Sequence, residues 1–146
     1  MLASLMLATI AVGTDGSETA SKAVAVAVEM ARRFDAELVL LSAFKDSRNP
    51  SGPRGTAVEL QWVSNVDARV REMLSRAEQE LREQKIECRT MIDEGDPAEV
   101  LVRLAEECNA DLLVIGNKGL QRRILGSVPN TVTHKAPCSV YVVKTT

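Results

Sequence analysis

Apolar, β-branched runs alternate along the chain with stretches whose apolar positions recur every three or four residues. The run LATIAVG (7–13) predicts a strand. Residues 17–34 predict a helix, with Ala20, Ala23, Val24, Ala27, Met30, Ala31 and Phe34 on or near one face. AELVLLSAF (36–44) predicts a second strand, and its unbroken apolar centre predicts burial on both faces. The polar KDSRNPSGPRGTA (45–57) reads as a loop on the carboxyl side of that strand. Leu60, Val63, Val66, Val70, Met73, Leu74, Ala77 and Leu81 then mark an amphipathic helix over about 58–84.

IECRTMI (86–92) alternates in part and predicts a more exposed strand. The helix over 96–109 has a clear start: Asp96 can cap it, Pro97 suits the first helical position and Glu99 completes a capping box. DLLVIG (111–116) predicts another fully buried strand, 126–136 a short helix and CSVYVVK (138–144) a last strand. This alternation predicts one doubly wound, Rossmann-like α/β domain over 1–146: a five-stranded parallel sheet with helices on both faces and right-handed crossovers.

Composition narrows the function. A net charge of −2 does not suit a general nucleic-acid binder. One Trp, one Tyr and two Phe leave little for base stacking. Cys88, Cys108 and Cys138 are odd in number and form no C-x-x-C pair, which fits a reducing compartment. Together with a single histidine, His134, they make a zinc site within one chain a poor expectation. The apolar start MLASLMLATIAVG lacks a basic n-region and is too short to span a bilayer, so it reads as a strand with a few residues in front. The expected location is cytoplasmic, with no membrane partner.

Two loops carry candidate chemistry: GTDGS (13–17) after the first strand and GNKGLQRRILGS (116–127) after the fourth. In a doubly wound sheet both face one crevice if those strands are neighbours where the strand order reverses. Gly116 and Gly119 let the backbone turn tightly and bring amides close to a ligand. Gly126 and Ser127 open the last helix, whose first amides and positive dipole end suit a phosphate. Lys118, Arg122 and Arg123 add neutralising charge. The same glycines serve equally as ordinary turn residues, with Ser127 as a helix cap. Asp15 suits a ribose hydroxyl, a metal-bound water or a helix cap. His134 suits a surface position better than a general base, and Cys138 reads as buried core. Neither loop matches the G-x-x-x-x-G-K-[ST] or G-x-G-x-x-G phosphate motifs.

At these residues the sequence resembles the universal stress protein family. The resemblance runs through IAVGTDGSETASKAVAVA, LVLLSAF, GDPAEVLVRLAEECNADLLVIGNKG and LGSVPNTVTHKAPCSVYVVK. The wording around the glycines looks most like actinobacterial members. The resemblance implies strand order 3-2-1-4-5 and an adenine nucleotide as ligand: ATP, with magnesium, or AMP or cyclic AMP. It carries the adenine and ribose contacts to Thr14, Asp15 and Ala43, and the phosphate contacts to Gly116, Lys118, Gly119, Gly126, Ser127 and Val128. It also implies a homodimer in which strand 138–144 pairs antiparallel with its copy.

One departure bears on the ligand. The family's ATP motif sets nine residues between its second and third glycines, whereas six separate Gly119 from Gly126. A shorter wrap around the β and γ phosphates predicts a shift in preference toward AMP or cyclic AMP. The leading expectation is therefore a non-catalytic nucleotide-binding stress protein. The alternatives are a nucleotide-free interaction module of the same fold and a slow ATP hydrolase, which needs a metal site and a positioned water.

Overall fold

A computed structural model describes residues 6–45, 57–117 and 125–144, with only the helical backbone over 57–65. Among these residues nine elements follow in order: β1 (Thr9–Gly13), α1 (Glu18–Phe34), β2 (Glu37–Phe44), α2 (Ala57–Glu83), β3 (Cys88–Glu94), α3 (Pro97–Glu107), β4 (Leu112–Asn117), α4 (Ser127–Lys135) and β5 (Ser139–Lys144). The strands form one sheet in the order β3-β2-β1-β4-β5, and every neighbouring pair is parallel. This is the doubly wound, Rossmann-like α/β fold that the alternating pattern predicts.

The strands' continuous apolar runs follow from two-sided burial. Successive strand residues face opposite ways. Ile10, Val12, Leu38, Leu40, Leu112 and Val114 face one core, which also holds Ala23 and Ala27 of α1 and Leu74 and Leu81 of α2. Ala11, Val39, Leu41, Leu113 and Ile115 face the other, with Val100, Leu101 and Leu104 of α3 and Val132 of α4. The helices thus divide two and two over the sheet, as crossovers of fixed hand require when the strand order runs outward both ways from β1 and β4.

Three helices end alike. After α1, α2 and α3 the chain takes one left-handed residue, Asp35 (φ 52°), Lys85 (φ 64°) and Asn109 (φ 53°). The next residue's amide then reaches back to close the helix: Ala36 to the Ala31 carbonyl, Ile86 to that of Leu81 and Ala110 to that of Ala105, at 2.9, 2.8 and 2.9 Å. These are Schellman closures. The second explains a difference from the sequence reading. Ile86 is buried as the apolar residue completing the end of α2, so β3 begins at Cys88 and runs to Glu94, two residues later than expected. Phe34 also departs from expectation: it sits on the last turn of α1 and is 50% exposed. Cys138 precedes the edge strand β5 and is only partly buried rather than core.

At the amino ends of the strands Asp111 ties the centre together. Its Oδ2 accepts hydrogen bonds from the amides of Ala8 and Thr9, both at 2.9 Å, and its own amide donates to the Thr9 carbonyl at 2.8 Å. Asp111→Ala removes the shared acceptor of two main-chain donors. The expected cost is about 1–3 kcal/mol of unfolding free energy in urea titration, and an unchanged midpoint contradicts this role for Asp111.

Candidate functional site

At the carboxyl ends of β1 and β4 the connections diverge, and a crevice of about 350 Å³ opens there. Its size falls at the lower end of the range for small-molecule sites, about 300–1,000 Å³. Its walls come from the β1–α1 turn, the end of β2, the first turns of α1, α3 and α4, and the end of β4.

The β1–α1 turn is braced from several sides. The Thr14 amide donates to the Leu41 carbonyl at 2.9 Å, and the hydroxyl of Ser42, a buried polar side chain of β2, donates to the Thr14 carbonyl at 2.7 Å. Thr14 Oγ1 accepts the Gly16 amide at 3.2 Å, and Asp15 Oδ1 accepts the Ser17 amide at 2.9 Å. Ser17 is the N-cap of α1, accepting the Ala20 amide at 3.1 Å. Of the readings open for Asp15, the structure shows a turn contact just before the cap, with the residue exposed at the crevice wall.

Opposite this turn, β4 runs close against the start of α1. A Cβ on Gly116 would stand 3.0 Å from Thr19 Cγ2 and 3.2 Å from the Thr19 carbonyl oxygen, so only glycine fits without a shift.

The helices bordering the crevice differ in how they open. α1 is capped by Ser17, and α3 by Asp96, which accepts the Glu99 amide at 3.4 Å. The N-cap of α4 is Gly126, which has no side chain to cap with, and among the described residues no side chain takes the amides of Ser127 or Val128. The Gly126 amide donates to Asn117 Oδ1 at 3.0 Å, and Pro129, the third helical residue, has no amide hydrogen. Ser127 and Val128 are therefore the first-turn residues left to present main-chain donors, and both line the crevice. Such a helix start suits an anion.

Thr14, Asp15, Ala43, Gly116, Gly126, Ser127 and Val128 thus all border one crevice. Lys118, Gly119, Arg122 and Arg123 lie outside the described residues, as does most of the 45–57 loop. Sequence reasoning missed Thr19, Ala20, Ile115, Pro97 and Leu101. The last two come from α3, which the β3-to-β4 crossover carries over the mouth of β1. The Leu101 side chain sits 3.0 Å from where a Gly13 Cβ would stand.

Beside this wall, Arg103 donates to Asp93 Oδ2 from Nε at 3.1 Å and from Nη2 at 2.8 Å. The Glu94 amide, together with Arg103, holds the Asp93 carboxyl below its usual range. Burial pushes the thiols of Cys88, Cys108 and Cys138 up, away from the reactive thiolate. His134 is exposed on the last turn of α4. Among the described residues, no group of three or more His, Cys, Asp or Glu side chains is arranged to hold a metal ion, and no helix is long and apolar enough to cross a membrane.

Fold and site together define a doubly wound α/β domain whose crevice lies where its strand order reverses. The model of the universal stress protein family matches residues 6–144, and the chain belongs to that family. A universal stress protein of Mycobacterium tuberculosis is 35% identical over 144 residues, covering 94% of this chain and 97% of its own. Among solved structures, the universal stress protein UspA from Lactobacillus plantarum superposes with a TM-score of 0.80 at 27% identity, covering 94% of this chain and 97% of its own. A universal stress protein in complex with cAMP superposes with a TM-score of 0.73 at 28% identity, covering 97% and 99%.

Proposed function

We propose that this chain, as one domain over 1–146, binds an adenine nucleotide in the crevice between the β1–α1 turn and the start of α4, and carries out no chemistry on it. The bound or empty state is then the signal that partners read, which requires that they distinguish the two. The observation that carries this reading is the contrast among helix starts. In α1 and α3 the N-cap side chain takes one first-turn amide, that of Ala20 by Ser17 and that of Glu99 by Asp96, whereas among the described residues α4 has no such N-cap side chain, and its Ser127 and Val128 line the crevice.

In this reading Thr14, Asp15 and Ala43 take the adenosine end. Ser127 and Val128 take the phosphate, with Gly116 and Gly126 keeping the approach clear and Lys118 and Gly119 completing the loop. The cAMP held by the 28%-identical relative supports an adenine nucleotide as the ligand class. Two amides and one hydroxyl suit a single phosphate group. The order of preference is therefore AMP or cyclic AMP ahead of ATP with magnesium.

The protein works in the cytoplasm as a homodimer joined along β5. Among the described residues β5 is an edge strand, paired only with β4, and Tyr141 on it is 45% exposed. Pairing with a second copy covers that edge.

Calorimetric titration with ATP, ADP, AMP and cyclic AMP, with and without magnesium, tests the ligand. AMP or cyclic AMP is expected to bind at least about tenfold more tightly than ATP, a difference of about 1.4 kcal/mol. Gly126→Val, which puts a branched side chain beside Asn117 and Pro129, is expected to abolish that binding while the fold persists. No heat with any nucleotide, from folded protein shown to carry none, overturns the reading in favour of an interaction module. For the dimer, sedimentation equilibrium is expected to give twice the chain mass. Tyr141→Asp, which brings like charges together across the pairing, is expected to shift it toward monomer. A wild-type monomer at all concentrations contradicts the β5 interface.

A further inference from the structure

Asn117 is the last residue of β4, paired with Lys144 of β5, and does not line the crevice. Its side chain nonetheless reaches across the loop to the N-cap of α4, where Oδ1 accepts the Gly126 amide in a part-buried hydrogen bond of 3.0 Å. The two residues are nine apart in sequence, so this bond closes the whole 117–126 loop at its base. At α1 and α3 the helix start is held by its own N-cap side chain, Ser17 or Asp96. At α4 a strand residue from before the loop holds the N-cap instead. The difference matters for what remains open. A local cap takes the amide of the second or third helical residue, whereas Asn117 takes the amide of Gly126.

Glycine at 126 permits this contact, since a Cβ there would stand 3.2 Å from Asn117 Oδ1. The other end of the bond is anchored too, because neighbouring Gly116 packs directly on Thr19 of α1. The bond therefore ties the first turn of α4 to the β4–α1 framework that forms the opposite wall.

We propose that Asn117 is a positioning residue for the phosphate end of the site, aiming the first turn of α4 through its hydrogen bond to Gly126 without touching the ligand. This rests on the nucleotide reading above. It makes two separable claims: the bond orders the N-cap, and that order serves the phosphate rather than the adenosine portion.

Asn117→Ala removes the acceptor, and Asn117→Asp keeps one. Should Asn117→Ala fail to fold, Asn117→Ser, whose hydroxyl stops short of Gly126, replaces it with the same expectations. Amide hydrogen exchange of Gly126 is read by NMR, and AMP and adenosine are titrated by calorimetry. In Asn117→Ala, Gly126 is expected to exchange several-fold faster and AMP to bind about three- to tenfold more weakly, the worth of one hydrogen bond. Adenosine affinity is expected to stay at the wild-type value, and Asn117→Asp to restore Gly126 protection. Unchanged Gly126 exchange or unchanged AMP affinity in Asn117→Ala overturns the proposal, as does an equal loss for AMP and adenosine, which marks general damage to the crevice. Wild-type protein that binds neither compound overturns the nucleotide reading itself, and the positioning role with it.

Discussion

The short parallel ladder between β1 and β4 is the contact on which the rest of the molecule depends. Only three residue pairs make it: Ile10 with Leu112, Ala11 with Leu113 and Val12 with Val114. From β1 the chain turns outward to β2 and β3, and from β4 outward to β5. The helices that follow β1 and β4 therefore pack on opposite faces of the sheet. A crevice at that point is a consequence of topology. Asp111 secures the amino end of the same pair, and the Thr14 bonds to Leu41 and from Ser42 secure the end of β1 against β2.

What fills such a crevice depends on how each bordering helix begins. A helix start carries unpaired amides that need an acceptor. Ser17 and Asp96 each supply that acceptor for one amide, of Ala20 in α1 and of Glu99 in α3. α4 differs because Gly126 has no side chain to cap with and Pro129 has no amide to offer. The remaining donors, Ser127 and Val128, face the space that Thr14, Asp15 and Ala43 border from the other side. A ligand with an anionic group at one end and a hydrogen-bonding, partly apolar body at the other matches this division.

Much of this was legible in the sequence, for identifiable reasons. Two-sided burial writes itself as continuous apolar runs, so LVLL in β2 and LLVIG in β4 read directly as central strands. Ala20, Ala23, Ala27 and Ala31 recur with helical spacing because α1 packs its small residues against the sheet. The capping box at Asp96 is local chemistry, and it marked the start of α3 correctly. What failed to read was set by distant partners. Ile86 looks like a strand residue, yet it closes α2. Phe34 follows the helical spacing, yet as the final residue of α1 it is exposed. Pro97 and Leu101 reach the crevice only through the β3-to-β4 crossover, which no short window reveals. The contact of Asn117 with Gly126, on the far side of a loop, leaves no mark in a local pattern.

The most direct measurement of the central claim is the backbone amide spectrum of the isotopically labelled protein on saturation with AMP. The largest downfield movements are expected at Ser127 and Val128, as their amides gain a charged acceptor, with smaller changes at Thr14, Ala43 and Gly116. Saturable changes elsewhere, with Ser127 and Val128 unmoved, would contradict the assignment of the α4 start as the phosphate cradle.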